Sequence, residues 1–174
     1  MRIVAGRLGG RHFITPRSSR THPMGDRIRG ALFNTLGDIE GLTFLDAFAG
    51  TGALSFEAIS RGATSALLIE IDKPAQRAIQ ESIGMLNVSG EVKLINANSS
   101  GWSDKNPDIC FDVVIAAPPY DDLQLPVVQK LARHVAKDGL FVLDWPGKVD
   151  APNIADMEIV EQKRYGDAQL VFYR

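Results

Sequence analysis

A chain of 174 residues, 45% hydrophobic and 23% charged, is long enough for one substantial core and too short for two, and this composition excludes a disordered or low-complexity protein. No apolar run approaches a membrane span, the start Met1-Arg2-Ile3-Val4-Ala5-Gly6 has no signal-peptide core, and the single cysteine, Cys110, has neither a disulfide partner nor a metal-ligand spacing around it. The net charge of −2 hides an asymmetry: residues 1–37 carry seven arginines against one acid, Asp26, a local +6 that leaves −8 on the remainder.

A basic arm on an acidic body suits a polyanionic partner approaching from one side, and arginine favours bidentate phosphate contacts and stacking on bases. Nucleic acid is therefore the expected partner class, with Arg2, Arg7, Arg11, Arg17 and Arg20 as its candidate contacts. The competing reading is a solvated basic surface.

In chain order, Arg2 to Ala5 and Arg11 to Ile14 read as two short strands joined through Gly6, Gly9 and Gly10. A polar loop, Pro16 to Pro23, leads to a helix over Asp26 to Leu36, with Ile28, Leu32 and Leu36 four apart and Gly37 ending it. Residues 1–23 are expected to form a basic hairpin-and-loop appendage, and residues 24–174 a single domain.

Strands and helices then alternate. Thr43-Phe44-Leu45 is a buried strand, and Ala53 to Arg61 a helix closed by Gly62. Between them, Asp46-Ala47-Phe48-Ala49-Gly50-Thr51-Gly52 is a glycine turn in which missing Cβ atoms open the main chain to a ligand, below a helix start that attracts anions. A lone GxG often serves only a turn of positive φ, but Glu70 ends the next apolar strand, Ala66 to Ile69, eighteen residues after Gly52. A carboxylate there can accept both hydroxyls of a ribose, so the pair points to an adenosine-containing cofactor.

Further along, Asp72 is a candidate N-cap for a helix over Lys73 to Leu86, and Val92 to Ile95 a third strand followed by Asn96-Ala97-Asn98-Ser99. A short helix is expected around Trp102, a fourth strand over Asp112 to Ala116, a helix over Leu125 to Ala136, and a fifth strand over Leu140 to Leu143. Met157 to Lys163 and Gln169 to Tyr173 read as a terminal antiparallel pair turned by Tyr165-Gly166-Asp167. The expected fold is α/β, a three-layer Rossmann-like sandwich with a mostly parallel seven-stranded sheet, a terminal antiparallel pair and a small N-terminal β-hairpin. In such sheets ligands lie beyond the carboxyl ends of the strands.

Directly after the fourth strand stands Ala117-Pro118-Pro119-Tyr120. Two prolines fix φ and withhold N–H groups, leaving carbonyls free to accept, and Tyr120 adds a flat face with a polar tip. Such a corner suits a base carrying an exocyclic amine, although a diproline also serves to end a strand.

With these motifs in place, the sequence resembles the class I S-adenosylmethionine-dependent methyltransferases with an (Asn/Asp)-Pro-Pro-Tyr motif. It is most similar to the bacterial 16S rRNA guanine-N2 methyltransferases of the RsmD family. The likeness covers essentially the whole chain, including Arg2 to Gly6 with Gly10-Arg11, Asp26 to Asn34, and Tyr165-Gly166-Asp167. It implies S-adenosyl-L-methionine as cofactor, held by Asp46, Phe48, Ala49, Gly50, Thr51 and Gly52 around its methionine part, with Glu70 at the ribose, Asn98 at the adenine amino group, and Ile71 and Ser99 also in contact with the cofactor. It also implies 16S rRNA or the small ribosomal subunit as partner, cytoplasmic location, and Ala117, Pro118, Pro119 and Tyr120 at the methyl-accepting corner.

The sequence departs from the pattern in three places. Asn98 stands where the family usually has an acid, His22-Pro23-Met24 where it has Arg-Pro-Thr, and Ala117 where an Asn or Asp accepts a proton of the target amine. The last departure motivates an alternative, a cofactor-binding, RNA-associated protein with weak or lost methyl transfer. A nicotinamide-dependent oxidoreductase is disfavoured, because position 55 is Ser where a full GxGxxG needs its third glycine. His12, His22 and His134 share no ligand spacing, so no metal is expected, and a monomer is the default.

Overall fold

The computed structural model describes residues 1–16 and 24–174. Its elements are α1 (Asp26–Leu36), β1 (Thr43–Asp46), α2 (Ala53–Ser60), β2 (Ser65–Glu70), α3 (Lys73–Leu86), β3 (Val92–Asn96), α4 (Ser99–Lys105), β4 (Phe111–Ala116), α5 (Leu125–Leu131), β5 (Val135–Pro146), β6 (Ile159–Tyr165) and β7 (Ala168–Tyr173). One seven-stranded sheet runs β3-β2-β1-β4-β5-β7-β6, with β7 antiparallel to both neighbours and the other pairings parallel. The order reverses beside β1, so the ends of β1 and β4 flank the switch point where open α/β sheets bind ligands.

Side-chain alternation sends each strand's residues to two cores. Phe44, Val113, Ile115, Val142, Leu170 and Phe172 pack with α1, α2 and α3. Leu45, Val114, Ala116, Phe141, Leu143 and Tyr173 pack on the other face with Trp102 of α4 and Val128 and Leu131 of α5. The result is a Rossmann-like three-layer sandwich. Asp72 caps α3 as its sequence suggests, Oδ2 accepting from the Ala75 amide at 3.2 Å, and Asn87 ends the helix with φ 58°.

Two elements differ from their sequence reading. The expected N-terminal strands meet in a single bridge, Arg2 to His12, because the next amides leave the hairpin. Val4 and Ala5 instead donate to the Glu57 carboxylate on α2 at 2.7 and 3.0 Å. The helix expected to reach Ala136 stops at Leu131 and passes through a 3-10 turn, Ala132–His134, into β5. Buried His134 lies between the Ser103 hydroxyl at 2.7 Å and the Ile109 carbonyl at 2.6 Å, which draws the chain off the helical path. Gly139 lies within β5, where a Cβ would come 2.7 Å from the Asp112 carbonyl.

The amino-terminal segment shares the main core through Ile3, Leu8 and Phe13. Its fastening is a buried charge hub. Fully buried Arg29 lies 3.5 Å from Glu57 and donates to the carbonyls of Arg2 (2.7 Å) and Met24 (3.1 Å), while Glu57 also accepts from Arg61 at 2.8 Å. Gly6 is required there: its φ is +81°, and a Cβ would fall 2.0 Å from the Ser60 carbonyl. Glu57→Ala strands a buried guanidinium and two amides, and should cost about 3–5 kcal/mol in urea unfolding.

Candidate active site at the strand ends

The glycine turn and the diproline corner lie side by side. β1 and β4 are hydrogen-bonded parallel neighbours with Asp46 opposite Ile115, and the Ala47 amide donates to the Ile115 carbonyl at 3.0 Å. Both strands therefore end at one edge of the sheet, one running into residues 47–52 and the other into Ala117-Pro118-Pro119-Tyr120. β2 and β3 end at the same edge, with Glu70 opposite Asn96.

The turn needs glycine. Gly50 and Gly52 have φ of 55° and 76°, and a Cβ on Gly52 would press within 2.9 Å of the Phe56 ring. The Gly52 amide closes the turn on the Ala49 carbonyl at 2.7 Å. Thr51 is buried and Phe48 half-buried.

Two carboxyl groups sit inside this edge. Asp46 is 2% exposed; its Oδ2 accepts from the Ser55 hydroxyl at 2.9 Å, while Oδ1 is buried without a partner. Burial pushes this carboxyl up to about 7; the Ser55 hydroxyl opposes the rise and the negative charge of Glu70 adds to it. Glu70 is also raised, first by burial, against the pull of three amides. Those amides are Gly50 on Oε2 at 2.6 Å, and Ile71 and Asp72 on Oε1 at 2.9 and 2.7 Å. Glu70 thus ties the glycine turn to the end of β2, and Ile71 beside it is 68% exposed.

The adenine-side candidates are engaged with the fold. Asn98 caps α4, its Oδ1 accepting from the Gly101 amide at 2.7 Å. Buried Ser99 donates to the Ala47 carbonyl and joins the end of β3 to that of β1. At the diproline corner Pro118 is buried and Pro119 exposed, and the Pro119 carbonyl accepts from the Asp122 amide at 3.0 Å. The Tyr120 ring is 43% exposed, and its hydroxyl donates to Asp144 Oδ1 at 2.6 Å. Asp144 was not singled out in the sequence; only strand pairing brings it to this corner, and no local motif marks it.

The arginines divide. Arg2 and Arg7 are half-exposed or more and pair with Asp26 and Glu91. Exposed ion pairs of this kind are weak enough to exchange for phosphate. Arg11 donates to the Leu86 and Met85 carbonyls at 3.2 and 2.6 Å, at the end of α3, and Arg29 is consumed in the core. Arg17, Arg20, His22 and Pro23 lie outside the described residues. Trp102 and Trp145 are core residues, and Cys110 is exposed. Among the described residues no group of three metal-ligating side chains occurs, and no helix is long and apolar enough to cross a membrane.

A buried, unpartnered carboxylate oxygen beside a second acid fits a cationic group, and the ammonium and sulfonium of S-adenosylmethionine are such groups. The residues at this edge therefore fit that cofactor. A shallow depression of about 300 Å³ along Ile95, Asn98, Trp102, Lys105 and Asn106 takes in none of the acids.

A family model described as conserved hypothetical protein 95 matches residues 1–174. The chain is 37% identical over 124 residues to ribosomal RNA small subunit methyltransferase D of Haemophilus influenzae, a match covering 69% of this chain and 64% of that relative. It is 25% identical over 229 residues to an uncharacterized methylase of Rickettsia prowazekii, covering 100% and 97% of the two chains. A solved structure of a hypothetical protein from Thermus thermophilus superposes with a TM-score of 0.85 at 29% identity, over 99% of this chain and 98% of that one.

Because Asp46 keeps its proton to about pH 7 when folded but to about 3.8 when unfolded, the folded state binds more protons between those values. Its contribution to stability is full below about pH 4 and is lost as pH rises through 7, by roughly 4 kcal/mol. Urea unfolding from pH 4 to 8 should show this decline in the wild type and a flatter profile in Asp46→Asn.

Proposed function

The chain belongs to the family described as conserved hypothetical protein 95, the RsmD-like methyltransferases, and from that premise we propose that it transfers a methyl group from S-adenosyl-L-methionine to the exocyclic N2 of a guanine in 16S rRNA. The observation that carries this reading is the adjacency of the glycine turn and the diproline corner on neighbouring strand ends. The likeness to the Haemophilus relative, a small-subunit rRNA methyltransferase, supports the substrate class.

In this reading Asp46, Phe48, Ala49, Gly50, Thr51 and Gly52 hold the methionine part. Asp46 Oδ1 takes the ammonium, which satisfies its orphaned oxygen and lowers its pKa. Glu70 has one lone pair beyond its three amide bonds and turns it to the ribose, with Ile71 beside the ring system and Asn98 and Ser99 at the adenine end. The cofactor supplies an electrophilic methyl, so the protein's work is alignment and exclusion of water more than acid–base chemistry. Ala117 to Tyr120 hold the base: Tyr120 stacks on it and the Pro118 carbonyl offers an acceptor. Residues 1–23, with Arg2 and Arg7 among them, form a basic appendage that meets the RNA, pinned to the 24–174 body through Ile3, Leu8 and Phe13. The protein acts in the cytoplasm as a monomer.

A second reading rests on Ala117, which leaves β4 without its own side-chain acceptor: a protein that binds cofactor and RNA but transfers little. The two readings part on methyl transfer from labelled cofactor to undermethylated 30S particles, where incorporation supports the enzyme and its absence with intact cofactor binding supports the second. Calorimetry with S-adenosylhomocysteine tests the cofactor assignment separately. Glu70→Ala should weaken binding at least tenfold, equivalent to about 1.4 kcal/mol, and unchanged affinity would remove Glu70 from the site.

A further inference from the structure

An exocyclic amine held for attack needs an acceptor for one of its protons, and residues 117–119, directly after β4, offer no side-chain acceptor, only the Ala117 methyl and main-chain carbonyls. The neighbouring strand supplies what is missing. β5 pairs parallel to β4 with Ile115 opposite Val142 and Ala116 opposite Leu143, where β4 ends, so carrying the register one step further sets Ala117 beside Asp144. Alternation fixes their face as well. Val113, Ile115 and Val142 point to the core under α1–α3, while Val114, Ala116, Phe141 and Leu143 point to the opposite core. Ala117 and Asp144 therefore lie on the α1–α3 face, the face that also carries Asp46 and its partner Ser55 of α2. Paired strands are about 4.8 Å apart, within reach of a carboxylate standing beside a vacant β-carbon position.

The carboxylate is also held in place. Asp144 Oδ1 accepts the Tyr120 hydroxyl at 2.6 Å, which fixes both the acid and the ring of the corner residue. Its Oδ2 takes no hydrogen bond from the described residues and is not among the buried orphans. We propose that Asp144 is a catalytic residue of this site: it stands in from β5 for the acceptor that position 117 lacks, its Oδ2 taking a hydrogen bond from the exocyclic amine of the target base while Tyr120 holds Oδ1. This rests on the methyl-transfer reading above. In the step, the amine nitrogen gives its lone pair to the methyl carbon and displaces a neutral thioether. Asp144 takes the proton that the nitrogen then sheds, and later releases it to water.

The surroundings suit that task. Burial raises Asp144 to about 6, with the Tyr120 hydrogen bond opposing, so the acid is ionised at neutral pH yet close enough to accept a proton. Its partner on β7 is Leu170, β4 ends beside it with Ala116 opposite Leu143, and Tyr120 is the ionisable group in contact, its own phenol raised far above the working range. Asp121 and Asp122 are exposed on the same corner.

The test is single-turnover methyl transfer to undermethylated 30S particles between pH 5 and 8, with S-adenosylhomocysteine affinity measured in parallel for every variant. The wild-type rate should rise through about pH 6. Asp144→Ala should lose roughly 10²-fold in rate, Asp144→Asn should be slowed and lose the acid limb, and all variants should bind S-adenosylhomocysteine within about twofold of wild type, the margin expected of a group that does not touch that ligand. Ala117→Asp placed in the Asp144→Ala background should recover most of the rate, which a merely structural role for Asp144 would not allow. Three results overturn the proposal: Asp144→Ala at wild-type rate; a loss no larger than that of Tyr120→Phe, which would reduce Asp144 to a prop for the ring; or a wild type that transfers methyl only after Ala117→Asn. The last leaves the methyl-transfer reading standing. That reading fails instead if neither wild type nor Ala117→Asn transfers and S-adenosylhomocysteine does not bind, and this proposal falls with it.

Discussion

The carboxylate of Glu70 is the joint on which the ligand-facing edge depends. It accepts amides from Gly50, Ile71 and Asp72, so one side chain closes the glycine turn after β1, ends β2, and orients the residue that caps α3. The consequence is electrostatic as much as geometric. Two acids, Asp46 and Glu70, are held in a poorly hydrated edge where burial raises both, with the charge of Glu70 adding to the rise at Asp46 and that of Asp72 to the rise at Glu70. An edge built this way suits a cationic group, such as the ammonium and sulfonium of the proposed cofactor.

Around that joint, the amino-terminal segment is bound by different means. The Arg29–Glu57 pair is fully buried, and Glu57 spends its remaining capacity on the Val4 and Ala5 amides and on Arg61. Helix α2 therefore connects the glycine turn at one end with the basic segment at the other. A charged hub of this kind contributes little net stability over apolar packing, but it fixes the segment's register. The sequence's concentration of arginine overstates the free positive surface, since Arg29 is committed to this hub and Arg11 to the carbonyls at the end of α3.

The fold was largely legible because it is written in local signals. Ile28, Leu32 and Leu36 give α1, Asp72 with Pro74 gives the start of α3, and Tyr165-Gly166-Asp167 gives the last hairpin. The failures came where distant partners overrule local preference. Val4 and Ala5 have good strand character but find a better acceptor in Glu57, more than fifty residues away, and His134 leaves its helix for Ser103 and Ile109. The site divided the same way: the glycine turn, Glu70 and the diproline corner were visible as motifs, whereas Asp144 reaches the corner only through the pairing of β5 with β4. A polar residue at the end of an apolar strand carries no signal until the register is known.

The central claim is that one cleft, walled by residues 46–52 and 117–120, receives the cofactor with its sulfur facing the base-binding corner. A crystal structure of the protein soaked with S-adenosylhomocysteine tests it directly. The account predicts the amino-acid ammonium on Asp46, the ribose on Glu70, and the sulfur between the glycine turn and Pro118. Density for the ligand away from Asp46 and Glu70, or with its sulfur turned from Pro118, would contradict it.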